Sequence, residues 1–208
     1  MAFNTCLIIT GTFLIMGSAV TSQDESINLS LFDFTSSDNV SDWTEQSDTV
    51  RTVGKSKAVI VMQETQEFRR AILFTLLNPQ SNGAAFAGVR IETVMNFVGL
   101  STIHINCRAQ GNSTGYKVVL RHDGENNEPY PTYEQFFEAP MSSEIFSTVS
   151  LPLANFTAYY RGKAVPNAKP LDITNITSFG LQVYGGVYGA IHQSGVSSLE
   201  INTIDVTS

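Results

Sequence analysis

Asp42-Trp43, Asp48-Thr-Val-Arg-Thr-Val-Gly54-Lys-Ser56 and Gly83-Ala-Ala-Phe-Ala-Gly-Val-Arg90 frame the part of the chain whose reading decides its fold. Between them lie Ala58–Gln63 and Phe68–Leu77, runs rich in β-branched and aromatic residues and bounded by turn formers, the composition of strands. The same composition recurs on either side, at Leu31–Phe34, Ala84–Glu92, Thr102–Arg108, Tyr116–Arg121, Tyr133–Phe137, Phe146–Leu151, Phe179–Tyr184 and Leu199–Val206. No window holds a sustained helical period with caps, apart from a short turn expected near Pro152–Tyr160. Many short strands at fairly even spacing predict an all-β chain, a two-sheet β-sandwich or jelly roll. No internal repeat, low-complexity tract or linker interrupts it, so a single domain is expected.

The N-terminus reads as a secretory signal. Cys6–Met16 is apolar but for Thr10, Gly11 and Thr12, and the small residues Gly17-Ser-Ala-Val-Thr-Ser22 follow. That stretch is too short for a membrane span and lacks the arginines of a mitochondrial presequence, although no Lys or Arg marks its start either. Cleavage is expected after Ser22, with Ala19 as the alternative, so residues 1–22 form the signal and 23–208 the mature domain. The expected location is the exterior or the ER lumen, the mitochondrion being the alternative. No second hydrophobic run is long enough to span a bilayer. A formal charge of −7 opposes phosphate-backbone binding, so nucleic acid is not an expected partner. Only Cys107 survives processing, which excludes a disulfide framework, and its row with Ile103 and Ile105 predicts burial. Sequons at Asn28, Asn39, Asn112, Asn155 and Asn175 support a glycosylated lumenal protein, Asn112 standing in the turn-like Gly111-Asn-Ser-Thr-Gly115.

Taken as a set, the motifs are more specific than any one of them. Leu31-Phe-Asp-Phe34, Asp42-Trp43, Asp48-x-Val50, Gly54-x-Ser56 and Phe86-Ala-Gly-Val-Arg90, in that order, resemble the complex I intermediate-associated protein 30 family. The similarity runs on through Gly115-Tyr-Lys-Val-Val-Leu-Arg121, Tyr133-Glu-Gln-Phe136, Val149-Ser-Leu-Pro152, Tyr160-Arg-Gly162 and Ile201-Asn-Thr-Ile204. Arg51-Thr-Val53 stands where the mitochondrial members tend to have Met-Gly-Gly, which looks like a diverged, secreted branch. The resemblance implies a galactose-binding-domain-like jelly roll and, for the mitochondrial members, a chaperone role in assembling respiratory complex I without known catalysis. An exported member cannot meet complex I intermediates, so the fold is expected to carry over and that task is not.

Six residues are candidates for a binding surface: Trp43, Asp48, Arg90, Arg121, Tyr133 and Arg161. Trp43 and Tyr133 offer rings for sugar stacking or for core packing, with Tyr116, Tyr130, Tyr184 and Tyr188 as further rings of either kind. Arg90, Arg108 and Arg121 on strands, with Arg161 in a turn, would clamp carboxylates or hydroxyls if they shared a face, or else form an outward polar row with pairs such as Arg121 and Asp123 or Glu134. Asp48 is expected to bond the backbone of the Gly54 turn or to pair with an arginine. Catalytic signatures fail: Gly111–Gly115 matches a nucleophile elbow only in letters, because a strand follows where a helix is needed. The histidines His104, His122 and His192 have no metal spacing, and no cofactor or metal is expected. The sequence thus predicts a non-enzymatic binding protein with chaperone-like recognition of an unfolded or assembling protein, or else a carbohydrate-binding module.

Overall fold

The computed structural model describes Met1 and residues 27–208; the expected signal at 1–22, Met1 apart, lies outside the described residues. Among the described residues thirteen strands follow one another: β1 (Asn28–Asp33), β2 (Thr44–Glu45), β3 (Lys57–Glu64), β4 (Arg69–Leu77), β5 (Phe86–Met95), β6 (Thr102–Gly111), β7 (Gly115–His122), β8 (Thr132–Glu138), β9 (Ser147–Pro152), β10 (Thr157–Tyr160), β11 (Lys163–Ala164), β12 (Ile176–Tyr184) and β13 (Gly195–Thr207). All ten strands expected from composition are present. The expected turn near Pro152–Tyr160 is a 3-10 helix over Leu153–Asn155 that leads into β10.

The strands form two antiparallel sheets, a jelly-roll sandwich. One runs β3-β4-β13-β6-β9 with β1 added along β13, the other β11-β10-β8-β7-β12-β5-β2. β13 is long enough to serve two neighbours on one edge, β4 along Gly195–Ile201 and β1 along Thr203–Thr207. Asn28 therefore faces Thr207, and the Ser208 N–H donates to the Ile27 carbonyl at 3.0 Å, so the two ends of the described domain meet.

Period-two alternation supplies the core. On β6, Ile103, Ile105, Cys107 and Ala109 are fully buried; on β7, Tyr116, Val118 and Leu120; on β12, Phe179, Leu181 and Val183. Each such aliphatic or aromatic side chain contributes about 1.5–3 kcal/mol of transfer free energy against the ordering entropy of the chain. Burial pushes the Cys107 thiol up to about 12, so it packs as a hydrophobe and is not a nucleophile at neutral pH.

The turn between β2 and β3 is fixed by Asp48, buried at the head of a 3-10 turn. Its carboxylate accepts from the Ser56 N–H at 2.9 Å and the Ser56 hydroxyl at 2.7 Å, and the Ser56 Oγ accepts from the Asn78 N–H at 3.0 Å. A Cβ at Gly54 would stand 2.0 Å from the Asp48 carbonyl oxygen. The Asp-x-Val and Gly-x-Ser spacing is thus a structural knot: acid, serine and a residue without a side chain must close on one another.

Candidate functional site

The outer face of the seven-stranded sheet is the candidate site. Because Tyr116, Val118 and Leu120 point into the core, Lys117, Val119 and Arg121 point the other way. Antiparallel registers align Arg90, Gly180, Val119 and Glu134 across β5, β12, β7 and β8. Glycine in that row, with Ser178 beside it on β12, leaves the middle of the face low. Flanking loops rise around it, and the result is an open groove of about 1520 Å³.

Aromatic rings from several strands and two loops line the groove. Phe136, Tyr130 and Tyr188 are exposed, and Tyr159, Tyr160 and Tyr184 are half-buried. Phe136 meets Tyr159 and Tyr184 edge-on, at 5.5 and 5.0 Å between centroids, which fixes its ring. The Arg161 guanidinium lies 5.3 Å from the Tyr160 centroid and the Lys163 ammonium 5.4 Å from that of Tyr188.

Two arginines on the groove brace the loop between β7 and β8. Arg121 Nη1 donates to the carbonyls of Glu125, Asn127 and Tyr130 at 3.0, 3.4 and 3.3 Å. Arg90 donates to the Asn126 carbonyl at 2.6 Å and to Asn127 Oδ1 at 3.1 Å, and it pairs with Glu92 at 3.1 Å. The braced loop presents Glu128, whose carboxylate binds Arg161 at 2.7 Å and Arg51 at 2.9 Å. The hydrogen bond from Arg161, with both positive charges, holds the Glu128 carboxyl below its ordinary value. Burial, followed by repulsion from Arg90, pulls the Arg121 guanidinium below its own.

The carboxylates of the groove are all committed. Glu134 binds Lys117 Nζ at 2.7 Å and the Thr132 hydroxyl at 2.8 Å, Glu128 is shared between two arginines, and Asp48 holds Ser56. A general acid needs a raised carboxyl pKa; at Glu128 the shift runs the other way. Among the described residues no cluster of three or more His, Cys, Asp or Glu side chains has metal-holding geometry, and no helix is long and apolar enough to cross a membrane. His104 bonds Ser150 and Thr207 on the opposite sheet, and His122 accepts from the Asp172 N–H beneath Tyr133. Ser113, the letter-match for a nucleophile, is buried with no partner for its hydroxyl and sits between two strands.

Of the six candidates, the structure brings Asp48, Arg90, Arg121 and Arg161 to the groove. Trp43 does not reach it and belongs to the core, at 5.1 Å from Phe32 and 6.2 Å from Phe179. Burial of that large ring against three phenylalanines outweighs leaving its Nε1 without a partner. Tyr133 is also a core residue, its hydroxyl donating to the Lys169 carbonyl at 2.5 Å. Its β7 partner is Leu120, which faces inward, so Tyr133 must do the same. Arg108 is on the other sheet, bound to Glu200 at 2.8 Å beside Arg70. The expected pairing of Arg121 with Asp123 or Glu134 gives way to backbone carbonyls. Among the sequons, Asn28, Asn39, Asn112 and Asn155 are exposed, whereas Asn175 is half-buried and donates to Asp123 at 3.2 Å.

Sequence reasoning missed Phe136, Glu134, Lys117, Glu128, Tyr159, Tyr160 and Lys163. For the first three a signal existed, since strand parity opposite Tyr116, Leu120 and Tyr133 puts them outward. Glu128, Tyr159, Tyr160 and Lys163 had none, being placed by a loop and by strands of four and two residues.

A family model described as Complex I intermediate-associated protein 30 matches residues 32–201. No curated protein matches the chain in sequence. Among solved structures, the family 11 carbohydrate-binding module from Clostridium thermocellum, in complex with a β-1,3-1,4-mixed-linked tetrasaccharide, is similar with a TM-score of 0.62 at 14% identity. That match covers 86% of this chain and 94% of the module. The family 30 carbohydrate-binding module of the Clostridium thermocellum cellulosomal cellulase Cel9D-Cel44B matches with a TM-score of 0.56 at 8% identity, covering 88% of this chain and 98% of that one. An exo-β-agarase matches with a TM-score of 0.52 at 12% identity; 86% of this chain corresponds to 25% of the enzyme. These likenesses establish the jelly-roll fold.

Proposed function

The chain belongs to the complex I intermediate-associated protein 30 family, and from that premise and the groove we propose that it is a non-catalytic binding module that holds a saccharide chain across its seven-stranded sheet. The observation that carries this reading is the groove itself. Its volume, about 1520 Å³, exceeds the ~300–1,000 Å³ of pockets for single drug-sized ligands, and it is open, as an extended occupant requires. Exposed rings at Phe136, Tyr130 and Tyr188 suit the apolar faces of pyranoses, and nearby guanidinium and amide groups suit their hydroxyls. A fold shared with modules of carbohydrate-active proteins supports the same reading as an analogy.

The test is affinity electrophoresis of the whole protein against neutral and acidic polysaccharides. Retardation by at least one polymer is expected, reduced about fivefold or more in Tyr130→Ala and Tyr188→Ala at unchanged Tm, because both rings are exposed and stacking contacts of this size are worth ~1 kcal/mol or more. Absence of retardation across the panel would retire the proposal.

A second reading, chaperone-like recognition of another protein, is favoured by the opposite sheet. There Val59 and Val61 on β3, Phe74 and Leu76 on β4 and Val196 on β13 are all exposed and adjacent in register. Crosslinked capture that recovers one reproducible protein, and loses it in Phe74→Ser, is the outcome this reading requires. Export is part of the proposal in either case. Treatment with an N-glycosidase of protein made in a secretory cell should raise its mobility, and glycans are expected at exposed sequons such as Asn112 before Asn175.

A further inference from the structure

The chain as a whole is acidic, with 12 Lys+Arg against 19 Asp+Glu, yet its groove is not. Six of those basic residues line it, Arg51, Arg90, Lys117, Arg121, Arg161 and Lys163, against three acids, Asp48, Glu128 and Glu134. An even spread of the chain's charges over its surface would give the opposite ratio. Resting on the glycan-binding reading above, we infer that the occupant of the groove is an anionic saccharide chain, one that carries carboxylates or sulfates along its length.

Pairing inside the groove sharpens the argument. Lys117 is matched by Glu134, and Arg90 by Glu92 at the rim. Glu128 is one carboxylate for two guanidiniums, those of Arg51 and Arg161. Arg121 touches only carbonyl oxygens, whose dipoles orient a guanidinium but do not neutralise it; the carboxylates of Glu134, Glu128 and Glu125 act on it without forming an ion pair in contact. Lys163 is exposed, and among the described residues no carboxylate lies within 4.0 Å of it. Asp48, the remaining acid, faces Ser56 beneath the turn and offsets none of these. Positive charge in excess of the carboxylates in contact therefore remains at three places in the groove, at Arg121, at the Arg51 and Arg161 pair, and at Lys163.

A neutral glycan takes stacking from the tyrosines and hydroxyl hydrogen bonds from the guanidiniums, but it neutralises none of this charge. An anionic one gains at each place, and the low ground between low-dielectric walls concentrates the field. Arg161 beside Tyr160 and Lys163 beside Tyr188 each put a cation next to an aromatic ring of the groove, the pairing that a sugar with a charged substituent can use. Burial and Arg90 work against the Arg121 cation, Glu134, Glu128 and Glu125 work for it, and a bound anion adds to the second group.

Isothermal titration of the whole protein in ~0.15 M salt, where exposed charges more than ~8 Å apart are screened, tests the inference with three polymers: a polyuronate, a sulfated glycan and a neutral mixed-linkage glucan. At least one acidic polymer is expected to bind roughly tenfold tighter than the glucan, the equivalent of one or two charge-assisted hydrogen bonds. Preference between uronate and sulfate identifies the source of the negative charge. Affinity should weaken as salt is raised, fall about tenfold in Lys163→Gln and be kept in Lys163→Arg, both exposed changes that leave Tm in place. Equal or tighter binding of the neutral glucan would overturn the inference and leave the glycan reading standing. A lack of binding to all three removes both. Single-stranded RNA bound as tightly as the best acidic glycan would assign the groove to charge alone and overturn the saccharide.

Discussion

At Asp48 one carboxylate closes a turn, and its two oxygens are both used on Ser56. Asp48→Ala leaves the buried Ser56 hydroxyl proton and backbone N–H without acceptors and is expected to cost about 1–3 kcal/mol, read as a lowered urea midpoint at unchanged slope. Gly54→Ala should cost at least as much, since its Cβ would overlap the Asp48 carbonyl and neither partner is the end of a flexible chain. Glu128 makes a prediction in pH. The hydrogen bond from Arg161 lowers its folded pKa beneath the ordinary 4.5, so the clasp with Arg51 and Arg161 contributes fully above 4.5 and is lost as pH falls through the lowered value. The difference in urea midpoint between wild type and Glu128→Gln should be flat from neutral pH to about 4.5 and vanish only below it. Single residues were unevenly legible in the sequence. Asp48 and Cys107 could be read because their neighbours dictate their roles. Trp43 could not, because a ring suited to stacking on a sugar is equally suited to stacking on Phe32.

Strands of six or more residues were legible because a helix or a loop rarely sustains alternation over that length. β2, β10 and β11 span two to four residues, too few for a period to form, and they were missed. That failure cost part of the groove, since β10 and β11 supply Tyr159, Tyr160 and Lys163. The loop between β7 and β8 was equally hidden: its shape comes from two arginines on strands 36 and up to nine residues away in sequence. Removing one brace tests this. In Arg121→Met the amides of Glu125 and Tyr130, which donate to the His122 and Asn127 carbonyls, should exchange with deuterium about tenfold faster, while amides of β7 keep their protection. Gly180 acts at the same scale. A side chain at that point would meet the Val89 carbonyl at 3.1 Å and stand in the trough between Arg90 and Val119, so Gly180→Ala should weaken ligand binding and cost about 1–3 kcal/mol of stability together.

For the molecule as a whole, the sequence carried the sandwich but not the polarity of its two faces. Net charge is a sum and says nothing of where the charges lie. Only strand parity and loop geometry separate a groove rich in arginine from an opposite face with exposed valines and Phe74. Those two faces look away from each other, and the meeting of Ile27 with Ser208 along β1 and β13 belongs to the sheet without the groove. A short peptide joining residue 208 to residue 27, with new ends opened in the exposed hairpin at Gln66-Glu67, should give a permutant of 27–208 that melts cooperatively and retains ligand affinity within about threefold. Loss of binding in a permutant that still melts cooperatively would mean that the groove depends on how the chain is ordered. With entrance and exit side by side, the unit resembles a cassette: a host protein could carry it in one surface loop, neither stretched nor split, with its grooved side turned outward from the host.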